Sequence, residues 1–236
     1  MKDLFGKALQ DYYNNQYTED LVTWTNISGE DHLPIPYLFR NYTEMPKLEQ
    51  KALSLAKGSI LDVGCGSGSH SLYLQNNGLK VKAIDISKGA VAVAKKRGVK
   101  TVVYKSLLEE TETFDTILLL MNGTGIFQEL SQVSKYLNHL KTLLKPNGQI
   151  LVDSSDIQYM YEDEDGGIWI DTNANYYGEL DYFLSYKDEE EEVPMKWLYM
   201  DFNRLQLACE TAGMECQIIL KGDHFDYLAK ILLKAC

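Results

Sequence analysis

The stretch Ser59-Ile60-Leu61-Asp62-Val63-Gly64-Cys65-Gly66-Ser67-Gly68 constrains the fold more than any other part of this chain. A short apolar run leads straight into glycines at alternate positions, and a stretch with helical spacing follows. Where a strand turns sharply into a helix, missing Cβ atoms let the backbone take positive φ and let a ligand approach the amides. That order of strand, glycine turn and helix predicts an open α/β sheet with a ligand floor at its C-terminal edge.

The rest of the chain keeps the same rhythm. Strands are expected at 59–63, 80–84, 101–104, 115–121 and 149–153, each short, apolar and followed by Gly, Asp, Ser or Asn. Helices are expected at 68–77, 87–97 and 128–144, with Ser87 as N-cap and Pro146-Asn147-Gly148 as a stop. A helix over 199–212, ended by Gly213, leads to strands at 214–220 and 226–234 that pair as a hairpin at one sheet edge.

Two regions lie outside this pattern. Residues 1–57 read as an N-terminal helical lid segment, and residues 58–236 as the ligand-binding domain with an insertion at about 156–198. The insertion is rich in aromatic and β-branched residues, including Trp169, Tyr176, Tyr177, Tyr182 and Tyr186, which predicts two or three antiparallel strands. It caps an acceptor pocket or forms the interface of a homodimer. Its two acidic runs, EDEDGG and KDEEEE, read as solvated turns.

The glycine spacing narrows the ligand. It is G-x-G-x-G, with Ser69 where the dinucleotide fingerprint G-x-G-x-x-G would need glycine. A turn of that dinucleotide kind receives a pyrophosphate, which Asp62, just before the first glycine, would repel. An ammonium would be attracted instead. Asp85 closes the second strand 19 residues beyond Gly66, where an acid accepts hydrogen bonds from ribose hydroxyls. A zwitterionic ligand carrying an adenosine-like part fits both acids.

With these residues the chain resembles the class I S-adenosylmethionine (SAM)-dependent methyltransferases, whose first motif, acid-x-Gly-x-Gly-x-Gly, matches LDVGCGSG. The resemblance covers 59–153 and accommodates LLKPNGQILVD and AGMECQIIL further on. It implies a Rossmann-like three-layer sandwich whose seven-stranded, mostly parallel sheet runs 3-2-1-4-5-7-6 with strand 7 antiparallel. It also implies SAM as cofactor, S-adenosylhomocysteine as product, and cofactor contacts from Asp62, Gly64, Cys65, Gly66, Gly68, His70, Asp85 and Ile86. Ser106 and Leu107 stand where many members carry an acid for the adenine amino group. Asn122 and Gly123, in Met121-Asn122-Gly123-Thr124-Gly125-Ile126-Phe127, fall where the chain passes between methyl group and acceptor. This is not the Asn/Asp-Pro-Pro-Tyr/Phe motif of amino-group methylases acting on nucleic acid or glutamine.

Methyl transfer from an activated sulfonium needs alignment and exclusion of water more than a dedicated catalytic group. No catalytic residue is therefore assigned; His32, Tyr37 and Asn122 are the candidates, with Arg40 on the acceptor or carboxylate side. Pro34 and Pro36 predict an extended path through this part of the lid.

Charge and cysteine usage then exclude several classes. A formal charge of −11 with no basic stripe argues against nucleic acid, and Lys95, Lys96 and Arg97 sit at a helix C-terminus where the dipole favours cations. The cysteines show no C-x-x-C spacing, so no metal is expected. No apolar stretch is long enough for a membrane or a leader, which predicts a cytoplasmic protein. The expected partner is a small-molecule acceptor. Two competing readings are a non-catalytic SAM-binding scaffold and an NAD-dependent oxidoreductase.

Overall fold

The computed structural model describes residues 2–163, 165, 167, 168 and 176–234. Trp169 and Cys236 lie outside them. In chain order the elements are α1 (Leu4–Tyr13), β1 (Leu21–Thr25), β2 (Ser28–Leu33), α2 (Lys47–Leu55), β3 (Ser59–Val63), α3 (Ser69–Asn76), β4 (Lys80–Asp85), α4 (Lys88–Arg97), β5 (Val102–Tyr104) and β6 (Phe114–Leu119). There follow α5 (Val133–Thr142), β7 (Leu144–Ser155), β8 (Glu179–Tyr186), β9 (Glu189–Glu190), β10 (Met195–Leu198), α6 (Phe202–Thr211), β11 (Met214–Lys221) and β12 (Asp226–Leu233).

The main sheet is ordered β11-β12-β7-β6-β3-β4-β5. Counted within the sheet this is 3-2-1-4-5-7-6 read from the other edge, and β12 alone runs antiparallel to its neighbours β7 and β11. The apolar runs of the central strands follow from burial on both faces. Ile60, Leu118, Leu151 and Leu228 meet α2 and α3 on one side, while Leu61, Ile117, Ile150 and Ile231 meet α5 and α6 on the other.

Local chemistry sets the element ends. The Ser87 hydroxyl accepts from Ala90 N at 2.9 Å to cap α4, and Gly98 at φ 102° closes it after Lys95, Lys96 and Arg97. Asp201 caps α6 by accepting from Arg204 N at 3.0 Å. The helix expected from 128 begins only at Val133, because residues 130–132 form a separate 3-10 turn after Gln128 at φ 68°.

The N-terminal segment has helices at both ends, as expected, but a hairpin lies between them. β1 and β2 pair with each other, and β1 also pairs with β8 of the insertion, giving a second sheet of order β10-β8-β1-β2 with β9 beside β8. Nor is the Pro34-Pro36 stretch extended throughout. Ile35–Phe39 is a 3-10 turn with Pro36 in its first positions, since a φ near −65° suits such a turn as well as an extended chain. The second acidic run departs from a plain solvated turn too. Glu191 is buried, and its carboxylate accepts from the amides of Lys2 at 2.9 Å and Leu4 at 3.2 Å at the start of α1.

Candidate active site

Gly64, Gly66 and Gly68 all have positive φ, at 70°, 53° and 87°, but space divides them. A Cβ at Gly68 would come within 2.7 Å of Val99, so this glycine lets the turn pack against the end of α4. A Cβ at Gly64 or Gly66 would meet only Ile126 at 3.6 Å or Phe5 at 3.9 Å. Those two glycines leave room for a ligand to approach the backbone of the turn, whose amides at Gly64, Cys65, Gly66 and Gly68 already donate to Ile84 O, Ile84 O, Asp85 Oδ2 and Cys65 O.

Asp85, buried at the end of β4, ties the turn to the next helix. Its Oδ2 accepts from Gly66 N and its Oδ1 from Ser87 N, each at 2.8 Å. Burial pushes the carboxyl up and the two amides pull it down, with burial winning. Beside it Ile86 is 65% exposed and Tyr104 54% exposed, an apolar ledge that a flat ring would cover. Asp62 is buried under the turn and accepts from the Ser71 hydroxyl at 2.6 Å.

The lid segment docks directly on this turn. The Ser67 and Ser69 hydroxyls donate to Leu38 O, and Arg97 joins the two sides by donating to Ser67 O at 2.9 Å and Phe39 O at 3.3 Å. Behind the contact lies a buried ion triad. Arg40 Nη2 meets Glu49 Oε1 at 2.5 Å, and Glu49 Oε2 meets His70 Nε2 at 2.5 Å. Burial alone would lift Glu49, but His70 and Arg40 outweigh it and hold it below its usual range. Burial alone would lower His70, and the hydrogen bond it donates to Glu49 with the charges of Asp62 and Glu49 lifts it instead.

At the end of β6, Met121 (φ 66°) and Asn122 (φ 59°) are consecutive left-handed residues, a conformation that costs about 1–2 kcal/mol at each non-glycine position. Asp153, on β7, holds them there by accepting from Met121 N at 3.1 Å and Gly123 N at 3.0 Å. Burial raises Asp153 to about 6. The Ser154 hydroxyl donates to Asn122 Oδ1 at 3.1 Å, and Asn122 Nδ2 is buried with no hydrogen-bond partner.

The following turn carries the insertion. The Trp197 indole of β10 lies flat on Gly125, where any Cβ would overlap the ring. Gly125→Ala is therefore expected to displace Trp197 and to destabilise the fold by about 1–3 kcal/mol, measured as a lowered urea midpoint. An unchanged midpoint would mean that the indole has another place to go.

Between the second sheet and the C-terminal edge of the main sheet is a cleft of about 450 Å³. Asp31, Tyr159, Tyr182, Tyr199 and Asp226 line it, and Ser155, two residues past Asp153, forms part of its floor.

The whole molecule is similar to a SAM-dependent methyltransferase from Bacteroides fragilis solved with S-adenosyl-L-homocysteine, at 44% identity over 99% of this chain and 96% of that one, with a TM-score of 0.92. The chain belongs to the SAM-dependent methyltransferases. The family described as "Methyltransferase domain" matches residues 61–152 of this methyltransferase. It is also 28% identical over 149 residues to the ubiquinone biosynthesis O-methyltransferase of Rickettsia prowazekii, covering 56% of this chain and 54% of that protein. The methyltransferase spans about half the length of the curated relatives it matches. The CcbJ methyltransferase of Streptomyces caelestis shares the fold at 14% identity and a TM-score of 0.64, each chain covered to 98%.

In this methyltransferase the residues expected around the cofactor fall into three groups. Gly64, Gly66, Asp85 and Ile86 converge on the open side of the glycine turn, while Cys65 and Asp62 lie buried beneath it. Asn122 and Gly123 lie on the turn after β6. Ser106 starts a short 3-10 turn after β5, its N–H donating to Glu109 Oε2 at 2.9 Å, with Leu107 buried next to it. His70 is turned into the ion triad. Tyr37 is half-exposed with the Arg40 guanidinium 3.9 Å from its ring centre, so Arg40 is committed to Glu49 and Tyr37. His32 is exposed on β2, outside the cleft lining, next to Asp31 which is within it.

Phe5, Glu49, Asp153 and Trp197 were not legible as site residues. Glu49 and Asp153 had signals: a lone acid among the buried positions Leu48, Ala52 and Leu53 of α2, and an acid ending the fifth strand.

Proposed function

We propose that this chain transfers the methyl group of SAM to a small-molecule acceptor bound in the cleft under the second sheet. The observation that carries the reading is Asp85 holding the amides of Gly66 and Ser87 at 2.8 Å while Ile86 stands bare beside it. A carboxylate in that position has lone pairs left for two ribose hydroxyls, and the ledge suits an adenine. Asp62 and Asp85 border the glycine turn and Asp153 holds the turn after β6, and these acids favour a sulfonium and an ammonium and disfavour a pyrophosphate.

When bound, SAM supplies an already activated methyl group on a sulfonium. The chain's own part is to bind, orient and shield. Gly64 and Gly66 present backbone to the methionine part, with Asp62 and Cys65 beneath, Gly68 and His70 shaping the helix start, and Ser106 and Leu107 at the adenine end. Asn122 and Gly123, fixed by Asp153, form the floor on which the acceptor lines up. Residues 1–57 serve as a lid over residues 58–236, and they act jointly with the insertion because β1 and β8 share one sheet.

Calorimetric titration with SAM, S-adenosylhomocysteine and NAD tests the reading. Micromolar affinity for the first two and none for NAD is expected. Binding of NAD alone would replace the proposal with redox chemistry, and tight SAM binding with no acceptor-accessible cleft would favour a scaffold.

A further inference from the structure

We propose that the cleft between the two sheets selects an acceptor by its amino group, taken up as an ammonium, so that this chain is an N-methyltransferase of small amines. The inference rests on the reading above and deepens it by naming the acceptor class.

Charge comes first. Asp31 and Asp226 both line the cleft, and no lysine or arginine does so among the described residues. The Asp31 carboxylate accepts from the neighbouring His32 N at 2.8 Å, and Asp226 Oδ1 from His224 N at 3.0 Å. Neither has a salt-bridge partner among the described residues. Two carboxylates without a salt-bridge partner in the lining of one cavity favour a positive ligand and repel a carboxylate or phosphate.

The aromatic lining points the same way. Tyr159, Tyr182 and Tyr199 are close enough to act on one another: burial and then the charges of Tyr182, Tyr159 and Asp153 push the Tyr199 hydroxyl up to about 12. Asp31 likewise lifts Tyr182, after burial. The raised Tyr182 and Tyr199 hydroxyls stay protonated at neutral pH, and the aromatic rings of the lining carry the negative face potential that attracts an ammonium. A neutral phenol or alcohol would gain from the rings but not from the carboxylates.

Position links recognition to transfer. Ser155 lies two residues past Asp153, and Asp153 fixes the Met121-Asn122-Gly123 floor. An amine in the cleft loses a proton to solvent, its nitrogen lone pair forms the new N–C bond, and the S–C bond breaks with its electron pair left on sulfur. The methylated nitrogen then carries the positive charge that the sulfonium gave up.

The test uses the full chain loaded with S-adenosylhomocysteine and reads binding by calorimetry at pH 7.5, with phenethylamine, 2-phenylethanol and phenylacetate as probes of matched shape. The amine is expected to bind at least about ten-fold more tightly than the alcohol, with no binding of the anion. In the Asp31→Asn, Asp226→Asn double variant that ratio should fall to within about three-fold, with S-adenosylhomocysteine affinity unchanged, which also shows that the variant is folded. Equal binding of amine and alcohol, binding of phenylacetate, no binding of any probe, or a ratio that survives the double substitution would each overturn the proposal. Failure to bind S-adenosylhomocysteine would instead remove the cofactor reading beneath it, and the amine proposal with it.

Discussion

Replacing Asp85 with alanine is expected to weaken SAM binding by about 100-fold, or about 2.7 kcal/mol. The substitution acts twice. It removes the acceptor that ribose hydroxyls would use, and it releases the amides of Gly66 and Ser87, which now converge on one carboxylate. Hydrogen bonds to a charged group contribute about 1.5–3 kcal/mol each, so losing part of several reaches that size. Asp85→Asn keeps one oxygen acceptor and should fall between the two. Titration calorimetry with S-adenosylhomocysteine reads both variants. An alanine variant within about three-fold of the parent would show that the ribose is held elsewhere.

Glu49→Ala is expected to cost about 3–5 kcal/mol of folding stability, because removing one partner of a buried ion pair strands the others. Here it strands two, Arg40 and His70, both buried, and Arg40 Nε already has no partner. The effect should depend on pH in both directions. His70 is raised above 6.5 in the folded chain, so its contribution is complete below 6.5 and is lost as pH rises through the folded value. Glu49 is lowered below 4.5, so its contribution is present above 4.5 and is lost as pH falls through the folded value. The stability difference between parent and variant, from urea unfolding, should therefore be largest between 4.5 and 6.5 and shrink on either side. A flat difference would mean that the triad does not carry the charges assigned to it.

The glycine turn and the place of Asp85 at the end of its strand were readable because each is local, whereas the strand order came from the resemblance to the methyltransferase family. A strand and the turn that ends it are neighbours in sequence, and right-handed crossovers restrict how such units assemble. The second sheet was not readable as a unit, because its defining contacts are distant. Asn26 accepts from Asp181 N across 155 residues, and nothing in LVTWT or SGEDHL alone names ELDYFLSY as a partner. The ion triad was hidden for the same reason, since Arg40, Glu49 and His70 come from three separate elements. The 3-10 turn at Ile35–Phe39 was missed because proline restricts φ without choosing between an extended chain and a tight turn.

The pairing of β1 with β8 also sets an order of events during synthesis. By the time β7 has left the ribosome, β3, β4 and β6 have their neighbours, yet β7 still lacks β12 and β1 is still waiting for a strand that begins at Glu179. Through that interval one side of the β1–β2 hairpin is a bare row of amides and carbonyls, the kind of edge that recruits other chains. A chain stalled or truncated before Glu179 would keep that edge, so its expected fate is aggregation and not a working core without its cap.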